Sequence, residues 1–284
     1  MSRPRVLVID GNRAAIREQQ VAAGGQPSGE GYARVLGQLA ALDCDIVRPA
    51  DGAVQLPGGV KLADYDGVAI TGSALNVYDG GAHIERQVEL ARAILDSGVP
   101  CFGSCWGMQI AVTALGGVVR PNPLGREFGF ARRITLTEAG RAHPMYREKP
   151  PVFEAVTVHR DDIGQLPAGA LVLAASDMGV QALELRHGQG VFWGTQYHPE
   201  YSYAEIAATA RRYGEVLVRE QLFADLAALE AFVAELKLLQ SRPQDRALNW
   251  KHGLGAAMQD ERQKLAELRN WLELQVAPRF RQRH

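Results

Sequence analysis

The segment Gly103-Ser104-Cys105-Trp106-Gly107 follows the apolar run 99–102 and places a cysteine between two glycines. Glycines two positions before and after a reactive side chain let the backbone turn sharply from a buried strand into a helix, as in the G-x-S-x-G nucleophile elbow. The helix that follows would place the positive end of its dipole at the sulfur. The spacing predicts that Cys105 is a nucleophile, whereas Cys44 and Cys101 lie in or beside strand-like runs and are predicted to be buried apolar side chains.

A thiol nucleophile needs a base and a group that orients this base, and both can lie far away in sequence. His198 and Glu200 lie two positions apart, just after the strand-like run 190–196. Pro199 favours extended geometry at His198, and residues two apart in an extended chain face the same side. One imidazole nitrogen would face Cys105 while Glu200 holds the other, which predicts a Cys-His-Glu triad. Because the chain has seven histidines, a histidine near a carboxylate without any chemistry is the alternative.

Three motifs resemble, in the same order along the chain, those of the class I (triad) glutamine amidotransferase family, most closely the amidotransferase domain of GMP synthase. Ile70 to Asp79 is similar to the oxyanion segment, and Gly103 to Gln109 and Tyr197 to Glu200 are similar to the nucleophile and triad segments. The resemblance extends over about residues 5–220. It implies hydrolysis of the side-chain amide of L-glutamine to glutamate and ammonia through a γ-glutamyl thioester on Cys105.

Attack of a thiolate on an amide creates a tetrahedral oxyanion, which backbone N–H groups usually stabilise. The resemblance implies that the N–H groups of Ser73 and Trp106 form this oxyanion hole and that Gly72, in the same turn, contacts the substrate. Ser73 stands where the family has glycine. Because serine tolerates unusual backbone angles less well than glycine, the hole is expected to form differently or only when substrate binds.

Other substrate contacts are implied by the same resemblance. Gln109 matches the family glutamine that contacts the substrate, and 158–161 matches the segment whose backbone holds the amino-acid end. Relatives often have Asn-His-Gly or a glutamine there, whereas this chain is charged. Arg160 could pair with the substrate α-carboxylate, and Asp161 or Asp162 with its ammonium group. The alternative is a solvated charged turn.

Composition favours a globular enzyme. With 284 residues, 46% hydrophobic residues and a formal net charge of −1, the chain can bury a full core and is not drawn by its charge to nucleic acid or a membrane. The sequence has no signal-peptide pattern and no apolar stretch that could cross a bilayer, and its three cysteines do not indicate a disulfide framework, so we expect a cytoplasmic protein. Metal-ligand spacing and nucleotide-binding glycine motifs are missing, and we expect no metal and no cofactor.

The elements that would position these residues follow a βαβ order. Strand-like and helical runs alternate at 6–9, 32–42, 45–47, 67–71, 82–96 and 99–102, followed by the elbow helix. This order predicts an α/β fold with an open, mostly parallel sheet flanked by helices. A β-rich stretch from about 117 to 195 predicts a small antiparallel β extension. The candidate site groups follow strand ends, where ligands bind in open α/β sheets.

The chain is predicted to divide into an amidotransferase domain at 1–221 and a helical C-terminal extension at 222–284. We expect two helices in the extension, joined by a polar segment and each carrying an apolar stripe: Leu226, Leu229, Val233 and Leu236 in the first, and Leu265, Leu268, Leu272 and Val276 in the second. These stripes could pack on the chain's own core, form a homodimer surface or receive another subunit.

Three hypotheses for the function remain open. Ammonia made by this family commonly serves a synthetase, and the chain lacks the Ser-Gly-Gly-x-Asp-Ser phosphate loop of one, so the resemblance implies a free-standing glutamine amidotransferase with a separate synthetase partner, or a stand-alone amidase. A cysteine hydrolase of γ-glutamyl amides or peptides would use the same triad with a wider pocket, for which the departures at Ser73 and Arg160 leave room. A non-catalytic regulatory subunit on the same scaffold is disfavoured by the intact Cys105, His198 and Glu200.

Overall fold

The computed structural model describes residues 2–283, and its largest element is a sheet of nine strands. Within these residues we number the strands in chain order: β1 (Arg5–Ile9), β2 (Asp43–Val47), β3 (Gly67–Ile70), β4 (Cys101–Ser104), β5 (Val118–Pro121), β6 (Glu127–Leu136), β7 (Val152–His159), β8 (Asp161–Gln165), β9 (Leu171–Ser176), β10 (Gly179–His187) and β11 (Gly190–Thr195). The large sheet has the order β2-β1-β3-β4-β11-β10-β9-β6-β7, and β5 pairs with β8 in a separate sheet.

The helices of the described residues are α1 (Ala14–Ala22), α2 (Ser28–Leu39), α3 (Ala82–Asp96), α4 (Trp106–Ala114), α5 (Glu138–Ala142), α6 (Tyr203–Arg219), α7 (Leu226–Ser241), α8 (Arg246–His252), α9 (Ala256–Gln259), α10 (Glu261–Lys264), α11 (Ala266–Trp271) and α12 (Ala277–Arg283). A π-helical segment, Leu272–Val276, joins α11 to α12. Short 3₁₀ turns lie at Pro57–Gly59, Leu62–Asp64, Val77–Asp79 and Pro144–Tyr146. Among residues 2–283, no helix has both the length and the apolar character needed to cross a bilayer.

Strand β1 shows why helices cover both faces of the sheet. Its side chains Val6 and Val8 pack with α2 and α11, whereas Leu7 and Ile9 pack with α3 and α4, and all four are fully buried. Successive residues of a strand face opposite sides, so a strand that is apolar at every position must be covered twice. In the order of the large sheet, neighbouring strands are parallel from β2 through β1, β3 and β4 to β11. From β11 through β10, β9 and β6 to β7, neighbouring strands are antiparallel. The predicted α/β fold with an antiparallel extension is confirmed.

Two helical predictions differ from the structure. The helix expected at 32–42 begins at Ser28 and ends at Leu39. Helix α1 was not predicted at all, and it buries only Gln20, so its sequence carries no apolar stripe. Both differences lie in the segment between β1 and β2, which covers one side of the candidate site.

The second predicted helix of the C-terminal extension is present as the unbroken helical run of α11, the π-helical segment and α12, but the segment that joins it to α7 forms the short helices α8, α9 and α10. Asp245 caps α8 by accepting a hydrogen bond of 3.1 Å from the Leu248 N–H. Gly253, with φ 65°, ends this helix in the left-handed region, and Asp260 caps α10. These residues divide the segment into short pieces.

The extension packs on the chain's own core. The second stripe is buried with the sheet and most of the first is buried with α6, although Leu226 is 52% exposed. Glu267 on α11 is fully buried, where its Oε1 lies 2.9 Å from Lys149 Nζ and accepts a 2.6 Å hydrogen bond from the Tyr197 hydroxyl. Both stripes therefore have an intramolecular partner. A homodimer through these helices, and a domain boundary at 221, stay predictions.

Trp271→Ala is expected to lower the free energy of unfolding by about 3–5 kcal/mol, because it leaves a large cavity in the core. The Trp271 side chain is fully buried and its ring centroid lies 6.0 Å from that of Phe102. Urea-induced unfolding measures the effect. Trp250, which is 88% exposed, is the matched control, and its replacement by alanine is expected to change stability by less than about 0.5 kcal/mol. Equal losses in the two variants would show that α11 does not contribute to the core.

Candidate active site

Cys105 lies between β4 and α4 in a strained backbone conformation, with φ 51° and ψ −101°. Positive φ at a residue other than glycine is uncommon and concentrates at functional sites. The Cys105 N–H donates a 2.7 Å hydrogen bond to the carbonyl oxygen of Thr195, the last residue of β11. The elbow is thereby joined to the strand that leads to His198.

The two glycines of the elbow are needed for space rather than for positive φ, which neither adopts. A Cβ on Gly103 would lie 2.7 Å from Phe192 Cζ, and one on Gly107 would lie 2.6 Å from the Ile70 carbonyl oxygen. Both distances are far below van der Waals contact. The glycine spacing identified the elbow, but the structure gives close packing as its physical reason.

His198 and Glu200 are buried and hydrogen-bonded to each other. The Nδ1 atom of His198 lies 2.8 Å from Glu200 Oε1, and Glu200 Oε2 accepts a 2.9 Å hydrogen bond from the Ser104 hydroxyl. The Ser104 oxygen is in turn 3.1 Å from the Tyr32 hydroxyl. The ring of Tyr201 stacks on the His198 ring with centroids 4.1 Å apart. The carboxylate is therefore held at both oxygens and the imidazole at one edge and one face.

The charge of the imidazole follows from its surroundings. Burial lowers the pKa of His198, but the negative charge of Glu200 and the interactions with Cys105 outweigh burial and raise the pKa to about 10. The ring is thus protonated at neutral pH. Its Nε2 atom is buried and has no hydrogen-bond partner among residues 2–283, while the Cys105 Sγ makes a 3.7 Å contact with the Val158 carbonyl oxygen. The Cys105 thiol and the His198 ring are close enough to interact, and the Nε2 proton is available to a substrate.

The two predicted oxyanion donors belong to the turn after β3 and to the first residue of α4. The Trp106 N–H is the first of its helix and has no acceptor within it. Ser73 does not have positive φ, so serine fits here without the expected strain. Its hydroxyl donates a 3.0 Å hydrogen bond to the Gly11 carbonyl oxygen. Gly72 is the position that requires glycine, because a Cβ there would lie 2.5 Å from Cε1 of His198.

The remaining predicted substrate contacts differ in their burial and in their hydrogen bonds. Gln109 is buried and donates a 3.4 Å hydrogen bond to Gln196 Oε1. Asp161 is buried, which raises its pKa, and it accepts a 2.9 Å hydrogen bond from the Tyr78 hydroxyl. The Arg160 side chain is exposed. The roles of these three residues toward a substrate stay predictions.

A small cavity beside the His198 ring is lined by Asn12, which follows a predicted strand end, and by polar residues that the sequence did not single out: Arg17, Gln20, Ser28, Tyr201 and Arg212. Its free volume is about 20 Å³, room for about one water molecule. Asn12 follows the end of β1, a position at which the sequence can indicate a site residue. Arg17, Gln20 and Arg212 lie on helices whose sequences do not indicate a role in the site. Larger cavities, up to about 530 Å³, lie elsewhere and are not lined by Cys105 or His198.

The arrangement can perform acyl transfer, since a thiol at a strained elbow adjoins a protonated imidazole that a carboxylate orients. Within the part of the chain that the structure describes, no group of three or more His, Cys, Asp or Glu side chains is placed to hold a metal ion.

Comparisons with known proteins identify relatives over different parts of the chain. The sequence model of the family described as glutamine amidotransferase class-I matches residues 32–209. A γ-glutamyl-L-1-hydroxyisopropylamide hydrolase from a Pseudomonas species is 33% identical over 282 residues, covering 98% of this chain and 95% of that protein. One subunit of the glutamine-hydrolysing GMP synthase of Methanocaldococcus jannaschii is 28% identical over 129 residues, and the match covers 45% of this chain and 65% of that polypeptide.

Solved structures give the same fold. The crystal structure of a glutamine amidotransferase from Thermotoga maritima superimposes with a TM-score of 0.60 at 21% identity. The match covers 97% of this chain and 99% of that one. At this identity the likeness supports the fold alone.

Proposed function

The chain belongs to the class-I glutamine amidotransferase family, and from this premise we propose that it is a cysteine amidase that cleaves N-substituted γ-glutamyl amides to glutamate and a free amine. One observation carries the proposal. The likeness to the γ-glutamyl-L-1-hydroxyisopropylamide hydrolase covers 98% of the chain and so includes the C-terminal helices, whereas the likeness to the GMP synthase polypeptide covers 45%. The hydrolase alternative left open by the sequence is therefore preferred.

In the proposed first step, the Cys105 thiolate attacks the γ-carbonyl carbon. The N–H groups of Ser73 and Trp106 stabilise the oxyanion, and the C–S bond of a thioester forms. His198 gives its Nε2 proton to the departing nitrogen as the C–N bond breaks, and the amine leaves. Glu200 keeps the ring oriented and stabilises its positive charge.

In the second step, a water molecule attacks the thioester carbonyl carbon. Its proton passes to His198, the C–S bond breaks, and glutamate leaves with the thiolate restored. On the acyl side, Gly72, Gln109, Arg160 and Asp161 are the proposed contacts to the glutamyl group. No step requires a cofactor or a metal, and a free thiol nucleophile suits the cytoplasm, where we place the protein.

The side of the site from which the amine departs also supports a stand-alone hydrolase. Helices α1 and α6 are joined there through Gln20, whose Nε2 donates to the Thr209 hydroxyl at 3.2 Å and whose Oε1 accepts from Arg212 Nε at 2.8 Å. The cavity next to His198 therefore lies beside two helices that are held together by side-chain hydrogen bonds, which gives the departing amine a defined site within the chain.

Hydrolysis of L-glutamine, with ammonia passed to a separate synthetase, is the second candidate. It is supported by the likeness to the Methanocaldococcus jannaschii GMP synthase polypeptide, which by its name is one subunit of that enzyme. It uses the same triad and predicts that a partner raises glutaminase activity. A non-catalytic regulatory subunit remains the third hypothesis.

Steady-state kinetics distinguish the first two candidates. We expect the purified chain alone to release glutamate from γ-glutamyl-L-1-hydroxyisopropylamide with a kcat/KM at least about 10-fold higher than from L-glutamine, because polar contacts to the amine substituent add discrimination of about this size. Glutamate is quantified chromatographically in both reactions. A higher kcat/KM for glutamine would favour the amidotransferase candidate, and addition of cell extract then tests for an activating partner.

A further inference from the structure

We propose that the cavity beside His198 is a subsite for a carboxylate on the amine side of the substrate, and that Arg212 binds this carboxylate. The preferred substrates would then be γ-glutamyl α-amino acids with small side chains. This inference rests on the proposed hydrolysis of N-substituted γ-glutamyl amides and adds the chemical class of the leaving amine.

The position of the cavity assigns it to the amine side. His198 protonates the departing nitrogen, so the atoms attached to that nitrogen must lie next to its ring. The ring itself and the stacked Tyr201 line the cavity. Ser73, the proposed oxyanion donor, and Val158, whose carbonyl oxygen lies 3.7 Å from the Cys105 Sγ, also line it, so the cavity adjoins the bond that would be cleaved. A substituent on the nitrogen can therefore enter this space.

Arg212 is a positive charge without a carboxylate partner in the described part of the chain. Its Nε donates to Gln20 Oε1 at 2.8 Å and its guanidinium carbon lies 4.4 Å from the centroid of the Tyr213 ring, which fix its plane. Two neighbouring arginines do have carboxylate partners: Arg17 is ion-paired with Asp51, and Arg211 with Glu230. Arginine is suited to planar recognition of carboxylates, and a half-buried guanidinium free of a counterion is ready to accept one.

No carboxylate among residues 2–283 fills this role. Glu205, on the same helix as Arg212, is engaged by Gln26, whose Nε2 lies 3.3 Å from its Oε1, and by Gln20 at 3.4 Å. Asn12 also lines the cavity, but its Nδ2 atom already donates to the Ser28 hydroxyl oxygen at 3.0 Å. No Asp or Glu is among the lining residues, so the charge of Arg212 favours an anionic group there.

The size of the cavity limits the length of the substituent. A free volume of about 20 Å³ is room for about one water molecule, so one oxygen of a carboxylate enters it while the rest of the carboxylate lies at its mouth. In an α-amino acid the carboxylate is attached to the carbon next to the nitrogen, which keeps it close to the His198 ring. Longer amines would have to displace α1 or α6.

Three matched substrates test the inference: γ-glutamyl-L-alanine, γ-glutamyl-L-1-hydroxyisopropylamide and γ-glutamylisopropylamide, which carry a carboxylate, a hydroxymethyl group and a methyl group at the same position. We expect kcat/KM to be about 10–100-fold higher for the carboxylate than for the methyl compound, the worth of one hydrogen bond to a charged group. Arg212→Gln is expected to abolish most of this ratio, mainly through KM of the carboxylate compound. Arg212→Lys, which keeps the charge but loses the planar fork, is expected to retain part of it.

Arg211→Gln is the matched control, because Arg211 is the preceding residue on α6, lies on the exposed side and pairs with Glu230. Its ratio is expected to equal that of the wild type. If the wild type shows no preference for the carboxylate, or Arg212→Gln keeps the preference, the subsite is overturned and the proposed function stands. If none of the three compounds is cleaved while L-glutamine is, the proposed function is overturned and the subsite with it.

Discussion

Replacing Cys105 with alanine is expected to lower kcat for γ-glutamyl amide hydrolysis by about 10⁶-fold, the effect of removing a nucleophile that acts as a unit with its base. The strained elbow holds the Cys105 sulfur next to His198. The alanine side chain has no sulfur with which to form the thioester. Glutamate release by the purified variant measures the effect. Because the variant removes only a sulfur atom from a buried position, unfolding curves should confirm that it is folded.

Cys44 and Cys101 are the internal controls for this prediction. Burial raises the pKa of the Cys44 thiol to about 11 and that of Cys101 further still, so both stay protonated and unreactive at neutral pH. A glutamine-like electrophile should therefore alkylate Cys105 first, as peptide mass mapping would show. Cys44→Ala is expected to retain full activity. Equal labelling of the three thiols would contradict the elbow, and a Cys105→Ala chain that keeps its cellular role would support the regulatory hypothesis.

The sequence predicted those parts of the site that leave a local trace. The elbow was found because the glycines at 103 and 107 form a recognisable spacing around Cys105, although the contacts that require them, with Phe192 and Ile70, are tertiary. His198 and Glu200 were found because an extended segment brings residues two apart to one side. The parallel sheet followed from strands such as β1 that are apolar at every position.

The amine-side cavity could not be predicted, because its residues meet only in the folded chain. Gln20 and Arg212 are 192 positions apart and are joined by one side-chain hydrogen bond. Helix α1 buries a single residue, so its sequence has no periodic apolar pattern that would predict a helix. Sequence motifs therefore predict the residues that act on the reacting bond. The residues that would determine specificity for the leaving amine come together only through tertiary packing.

The same limit applies to the C-terminal extension. Its apolar stripes were recognised, but the surface that covers them was not. Glu267 is a charged residue that pattern reasoning expects in solvent, yet it is fully buried against Lys149 and Tyr197. Tyr197 immediately precedes His198, so the extension supports the strand end that carries the proposed base. The likeness to the γ-glutamyl-L-1-hydroxyisopropylamide hydrolase covers 98% of this chain and so includes these helices.

His198→Ala is expected to lower kcat by about 10²–10⁴-fold, the usual contribution of a general acid–base group. The pH profile gives a second readout. Because the pKa of His198 is about 10 in the folded protein, well above the ~6.5 of a free imidazole, the ring keeps its proton through the neutral range and loses it as the pH rises through about 10. Wild-type kcat should fall on that limb. The same shift stabilises the fold fully below about pH 6.5, and this stabilisation is lost as the pH passes 10.

The test compares kcat between pH 6 and about 10.5 for the wild type, His198→Ala and a control, within the range where unfolding curves show each chain to be folded. His187 is the matched control, since it is 41% exposed in its side chain and pairs with Asp96 at 3.0 Å, far along the sheet from Cys105. His187→Ala is expected to keep both the rate and the alkaline limb, and His198→Ala to lose both, because only the ring at 198 carries the proton that the departing amine needs. Near-normal turnover of His198→Ala, or an alkaline limb that survives the substitution, would remove this residue from the proposed triad and leave the elbow thiol without its acid.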